Sequence, residues 1–239
     1  MKKNMTILII FLASLMSVGA TEAQPVLSIP NNHFNFGYAP QNAKISYGFW
    51  LYSIGRDTLK ITNVKTGCGC TKAPLEKDVL PPGDSTHLEI IFSTQRYQRE
   101  VSKTTRLLTN GSTASLPVTI SSNILLRPDS TYPVVISPYK LNISQFGEKV
   151  RDEIKFSIKN VSTETVKPTM VALPEDIFEV NLPDKIKPGE TVEGRVKLKP
   201  GGLEATFQKS FTFELDDPTQ TRFTVPVIRN YREISSAQE

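Results

Sequence analysis

Tyr47-Gly48-Phe49-Trp50-Leu51-Tyr52 places Tyr47, Phe49 and Leu51 on one face and Gly48, Trp50 and Tyr52 on the other, the period-two alternation of a β-strand. The pattern comes back later in the chain. Phe156 and Ile158 follow Phe49 and Leu51 at an offset of 107, and Pro188-Gly189-Glu190 follows Pro82-Gly83-Asp84 at an offset of 106. The chain therefore contains an internal duplication of a β-rich unit.

Working outward from Phe49, the segment Val26 to Gly37 reads as an edge strand kinked at Pro30 and Asn31. Arg56 and Asp57 make a turn, and Leu59 and Ile61 start a further strand. Pro81-Pro82-Gly83-Asp84 is a strong turn before Leu88, Ile90 and Phe92, with His87 and Glu89 facing the other way. Val101 to Thr109, the hairpin turn Asn110-Gly111 and Leu116 to Ile124 complete about seven strands with no convincing helix. In the second copy Ile154, Phe156 and Ile158, then Val192, Val196 and Leu198, then Phe211, Phe213 and Leu215, then Phe223, Val225 and Val227 alternate with polar partners. The reading is all-β: two tandem immunoglobulin-like β-sandwich domains, at 24–126 and 139–233, joined by a stiff Pro-rich linker at 127–138 and followed by a polar tail at 234–239.

Lys2 and Lys3, an apolar run from Ile7 to Val18 and small residues ending in Ala20 and Ala23 give residues 1–23 the order of a cleaved signal peptide. No later segment approaches the roughly 18 to 20 apolar residues of a membrane helix, and no Cys stands at the cleavage region to carry a lipid anchor. Without Lys2, Lys3 and Glu22, 26 basic and 23 acidic residues leave a net charge of +3, with no basic block of the kind nucleic acid requires. The expected partners are proteins or other envelope components, not nucleic acid or a membrane span; oligomeric state is left open.

Both cysteines lie in Thr66-Gly67-Cys68-Gly69-Cys70-Thr71, at the end of a strand or in the loop beyond it. In an extended chain positions i and i+2 sit near the upper limit of disulfide Cα separation, so a bond closes only if Gly69 bends the chain. The second copy has no cysteine at the corresponding Leu173 to Ile177, and burying each large apolar side chain is worth roughly 1.5 to 3 kcal/mol, so the fold does not depend on the pair. An oxidising compartment favours closure. A closed local bond, a dithiol that exchanges with a partner, and a soft-metal site for copper or zinc all remain open, with His87 the plausible third metal donor and His33 or carboxylates behind it.

Nothing else points to catalysis: with only His33 and His87 present there is no nucleophile elbow, zincin or phosphate-loop motif, and no catalytic residue or cofactor is assigned. Glu175-Asp176 and Asp216-Asp217 stand beside prolines and read as turn acids. Trp50 and Tyr52 form a candidate interface, although covering by the N-terminal segment or the second domain is the favoured reading. Asp57-Thr58-Leu59, Asp84-Ser85-Thr86 and Asp129-Ser130-Thr131 each read as a loop, and each looks like an O-glycosylation site of Bacteroidota exported proteins, at Thr58, Ser85 and Ser130, or as ordinary turn chemistry.

Phe34, Phe36 and Gly37, the Phe49–Leu51 strand, Leu59 to Val64 running into Gly67-Cys68-Gly69-Cys70-Thr71, and then Pro82-Gly83 with Leu88 to Phe92 together resemble a family of secreted bacterial proteins. This is domain-of-unknown-function family 1573, typical of Bacteroidota, whose domains look like the Hydin and major-sperm-protein type of immunoglobulin fold. The resemblance covers residues 26–124; in the second copy it extends to strand pattern and Pro-Gly turn but departs at the cysteines. It implies an envelope protein of the periplasm or cell surface of a Gram-negative bacterium, and it brings no enzymatic activity with it. The expectation is a non-enzymatic adhesion, assembly or scaffolding module. The alternative is a periplasmic thiol-redox or copper-handling protein that uses Cys68 and Cys70.

Overall fold

The computed structural model of the chain describes residues 24–232 apart from 112 and 114. The expected signal peptide at 1–23 and the polar tail at 234–239 lie outside the described residues. The strands are β1 (Leu27–Ser28), β2 (His33–Pro40), β3 (Lys44–Ser53), β4 (Leu59–Thr66), β5 (Thr71–Lys72), β6 (Val79–Leu80), β7 (Ser85–Ser93), β8 (Arg99–Thr109) and β9 (Ser115–Leu125). A 3-10 turn at Pro128–Ser130 leads to β10 (Val134–Ser137), β11 (Leu141–Asn142), β12 (Gln145–Phe146), β13 (Glu153–Asn160), β14 (Pro168–Ala172), β15 (Phe178–Asn181) and β16 (Thr191–Leu198). The four-residue helix α1 (Pro200–Leu203) precedes β17 (Phe207–Leu215), β18 (Arg222–Arg229) and β19 (Tyr231–Arg232). The chain is all-β, and none of its helices among the described residues is long and apolar enough to cross a membrane.

The alternation read from the sequence sets the layers. Phe49 and Leu51 of β3 and Leu88, Ile90 and Phe92 of β7 point inward from the sheet β1-β3-β7-β5, and they meet Phe36, Leu107, Val118 and Ile120 of the facing sheet. A second apolar cluster gathers Phe156 and Ile158 of β13 and Val196 of β16, from the sheet β10-β13-β16-β15, against Phe211, Phe213, Phe223 and Val225 of β17 and β18.

The duplication is visible down to single hydrogen bonds. The Gly83 amide donates to the Ser53 carbonyl at 2.8 Å and the Asp84 amide to Pro81 at 3.0 Å; the Gly189 amide donates to Asn160 at 3.0 Å and the Glu190 amide to Lys187 at 3.0 Å. Gly83 and Gly189 sit at φ +82° and +74°, the left-handed conformation that glycine adopts without steric cost. The same turn thus closes the same strand pair twice.

Three expectations are corrected. Val26 to Gly37 is not one kinked edge strand: the chain breaks after β1, and β2 runs in the interior of a nine-stranded sheet of order β14-β17-β18-β2-β9-β8-β4-β6, with β11 beside β18. β2 lies parallel to both neighbours, facing β9 along His33 to Pro40 and β18 where Phe223 meets Tyr38. The linker at 127–138 is not a spacer throughout, because Val134 and Ile136 of β10 are buried in the second cluster while β10 pairs with β13. Its prolines do not interrupt this short strand, since they flank it at 133 and 138. Third, polar residues of β17 and β18 that alternation would assign to solvent are buried at the seam between the halves. The Thr212 and Thr224 hydroxyls lie 2.7 Å apart, Thr224 donates to the Phe36 carbonyl at 2.6 Å, and the Ser46 amide donates to Ser210 Oγ at 3.0 Å. Each such bond satisfies a group that would otherwise be costly to bury.

Candidate functional site

The cysteine loop hangs between β4 and β5. The Thr71 amide donates to the Cys68 carbonyl at 3.3 Å, and the Ser93 amide of β7 donates to the Cys70 carbonyl at 2.8 Å, so the backbone on both sides of Gly69 is held. Bending at Gly69 brings the two Cα atoms to 5.2 Å, inside the ordinary disulfide range, and Cys68 and Cys70 are joined. The Tyr97 hydroxyl donates to Cys70 Sγ at 3.3 Å, and the Thr71 hydroxyl lies 3.5 Å from Cys68 Sγ and 3.8 Å from Cys70 Sγ. The Tyr97 ring packs on Phe92 at 5.4 Å between centroids and carries Lys103 Nζ 4.4 Å from its own centroid.

The bond closes a very short loop, so loop-closure entropy assigns it at most about 2 kcal/mol. Replacing Cys68 and Cys70 by Ser is expected to leave the fold intact and to lower the urea midpoint only slightly, which equilibrium unfolding checks.

His87 does not join the pair. It lies five residues along β7 from Phe92, the partner of Thr71, which is about 16 Å at the usual strand rise. Its Nδ1 stands 3.7 Å from Glu76 Oε1 and its ring meets Trp50 at 5.3 Å, over the space left by Gly48. His33 Nε2 is 3.1 Å from Ser121 Oγ on an exposed strand surface. The metal set Cys68, Cys70, His87 is therefore not assembled: the two sulfurs bond each other, and the imidazole is at the far end of the strand. Among the described residues no group of three or more His, Cys, Asp or Glu side chains is placed to hold a metal ion.

Trp50 and Tyr52 correct the expectation that neighbours cover them. They are 54% and 38% exposed, with ring centroids 6.5 Å apart, and Ile54, 64% exposed, continues their row just past the end of β3. Sequence reasoning missed Ile54, although the spacing 50, 52, 54 marks one strand face. This row borders a groove of about 630 Å³ at the seam. β3 and β7 give it Trp50, His87 and Glu89; the second half gives it Glu175, Asp176 and Lys209, whose Nζ pairs with Glu89 Oε1 at 2.6 Å. Leu173 to Ile177, the counterpart of the cysteine segment, thus lines a groove shared by both halves.

The remaining acids behave as turn residues. Asp216 Oδ1 accepts the Lys167 amide at 2.7 Å. Burial works against the charge of Asp217, yet hydrogen bonds from Thr219 and Thr221 hold its carboxyl below the usual carboxylate range. At the glycosylation-like sites, Asp57 accepts the Thr58 amide at 2.6 Å and Asp84 accepts the Ser85 amide at 2.8 Å. The Ser130 hydroxyl donates to the Arg127 carbonyl at 2.8 Å in the 3-10 turn. Ser85 departs from the loop expectation, since it opens β7 opposite Tyr52.

Residues 27–124 match the family described as protein of unknown function, DUF1573. No curated protein matches the sequence. Among solved structures, a protein of unknown function from Porphyromonas gingivalis W83 is similar at 14% identity and TM-score 0.35, over 85% of this chain and 99% of that one. The ASH/PapD-like domain 7 of human CEP192 is similar at 9% identity and TM-score 0.36, over 48% and 95%. The VesB protease of Vibrio cholerae is similar at 17% identity and TM-score 0.34, over 42% of this chain and 31% of that one.

Proposed function

From a chain whose residues 27–124 match the DUF1573 family, we propose that this β-sandwich protein is a non-enzymatic interaction module of the bacterial envelope, exported to the periplasm or cell surface, that takes part in adhesion or assembly. The observation that carries the reading is the exposed row Trp50, Tyr52, Ile54 beside the seam groove. Large aromatic side chains supply much of the binding energy at protein interfaces, and here they stand on a strand held rigidly by β1 and β7. The charged groups along the groove, Glu76, Glu89, Glu175, Asp176 and Lys209, give the apolar row a polar rim.

A photo-crosslinking residue at Tyr52 in the native cell is expected to give a discrete adduct with an envelope protein, while the same residue at exposed Leu126 gives none. The purified partner is then expected to lose about tenfold or more in affinity when Trp50 is replaced by Ala, the effect of removing one aromatic anchor. No adduct at Tyr52, or an affinity unchanged by Trp50→Ala, overturns the reading.

A further inference from the structure

We propose that the Cys68–Cys70 bond is a thiol–disulfide exchange site for a dithiol partner, with Cys68 as the sulfur attacked and Cys70 as the leaving sulfur. It stands independently of the interaction surface at Trp50.

The two sulfurs have different surroundings. Cys70 packs against the N-terminal core and accepts the Tyr97 hydroxyl at 3.3 Å, with the Thr71 hydroxyl also within reach. Cys68 has the Thr71 hydroxyl beside it, and at Gly69, between the two cysteines, nothing stands within 4 Å of the Cβ position. The loop is open there to an incoming thiol, and the hydroxyl and core contacts on Cys70 are what distinguish the two sulfurs. Negative charge that develops on a leaving sulfur is stabilised by hydroxyl donors, and Lys103 over the Tyr97 ring makes that phenol a stronger donor. Cys70 has this support built in. The second half reaches the same sandwich with no cysteine, so the pair is not required for folding.

In the first step, one thiolate of the dithiol attacks Cys68 Sγ and forms a mixed disulfide. The Cys68–Cys70 bond breaks, and its electron pair passes to Cys70 Sγ, which Tyr97 and Thr71 hold until it takes a proton from water. The partner's second thiolate then attacks the partner sulfur of the mixed disulfide and closes the partner's own disulfide. Cys68 leaves as a thiolate and is protonated. Two electrons and two protons have moved from the dithiol to this protein, and the reverse sequence returns them. The backbone bonds at Cys68 and Cys70 hold the loop, so the opened sulfurs stay close enough to close again.

Dithiothreitol serves as the dithiol probe on the folded, purified protein, with free thiols alkylated and located by mass spectrometry. Native protein is expected to open the pair without unfolding, and a monothiol probe, 2-mercaptoethanol, quenched with acid, is expected to be trapped as a mixed disulfide at Cys68 several-fold more than at Cys70. Tyr97→Phe is expected to slow opening about tenfold, the effect of one hydrogen bond lost to a developing thiolate, with an unchanged melting temperature. With glutathione disulfide as the reverse probe, Cys70→Ser is expected to form a mixed disulfide at Cys68 faster than Cys68→Ser forms one at Cys70. A bond that opens only when the protein unfolds overturns the proposal. So do a mixed disulfide shared equally between the two cysteines in the wild type, and an opening rate indifferent to Tyr97→Phe.

Discussion

Arg229→Leu is expected to destabilise the protein by about 3 to 5 kcal/mol. Arg229 is fully buried at the end of β18, an unusual place for a guanidinium. Its Nη1 donates to the carbonyls of Ile143 at 2.8 Å and Arg151 at 2.9 Å, while Nη2 donates to Gln145 Oε1 at 3.2 Å and to the Leu203 carbonyl. One side chain thus ties β18 to the β11–β12 segment, to the approach to β13 and to the end of α1. Leucine fills part of the volume but leaves the Ile143, Arg151 and Leu203 carbonyls without the guanidinium donor, each costing about 1 to 3 kcal/mol where water cannot replace it, while Gln145 Oε1 keeps the Arg151 amide at 3.1 Å. Arg229→Lys is expected to recover only a minor part, because a point-like ammonium cannot reproduce a planar fork that reaches several carbonyls at once. Urea denaturation followed by circular dichroism checks both variants. A midpoint within error of wild type for Arg229→Leu would falsify the account.

Gly37→Val is expected to cost about 3 kcal/mol and to act at the seam between the halves. Gly37 has φ +63°, a conformation unfavourable to a β-branched residue by about 1 to 2 kcal/mol. A Cβ at this position would also run into the carbonyl and side chain of Arg222 in the neighbouring β18, and overpacking of this kind adds about 1 to 3 kcal/mol. The collision would push β2 away from β18, where the Phe36 carbonyl accepts Thr224 at 2.6 Å and the Tyr38 carbonyl accepts the Tyr139 hydroxyl at 2.8 Å. Gly69→Ala is the matched control. Its Cβ meets nothing within 4 Å, and the change is expected to stay within about 0.5 kcal/mol. Calorimetry on the two variants separates a requirement for glycine at Gly37 from a general cost of replacing glycines.

The faces of the strands were legible because one side of most of them is dry. Phe49 with Leu51, and Phe156 with Ile158, alternate against polar neighbours, and the repeated Pro-Gly turns fix where these strands end. The seam was not legible. Thr212, Thr224 and Ser210 carry hydroxyls, and a period-two reading assigns them to solvent; β3 packing on β17 and β18, with β2 beside β18, turns that face inward, and the hydroxyls then pair with each other or with backbone. Arg229 fails in the same way, as a charged residue closing an apolar strand that looks exposed until its carbonyl partners from distant segments are in place. In the candidate site, the cysteine pair announced itself by residue type and Trp50 by its strand face. Tyr97 and the seam groove did not, because Tyr97 reaches Cys70 across 27 positions and the groove is assembled from segments that end at Glu89 and resume only at Val171.

The parallel contact of β2 with β18 has a consequence for the order in which the molecule is completed. β2 begins at residue 33 and β18 ends at residue 229. As the chain emerges, from a ribosome or across a membrane, the first long strand has β9 for one neighbour soon afterwards but waits for nearly the whole remaining sequence before its other edge is covered. Until then the Phe36 carbonyl, which Thr224 later caps, faces water, and a strand edge stands open to any extended peptide nearby. Such long-range pairing is among the slower events in folding, so the interval in which a foreign strand can take the place of β18 is set by the time needed to deliver the last segment of the chain.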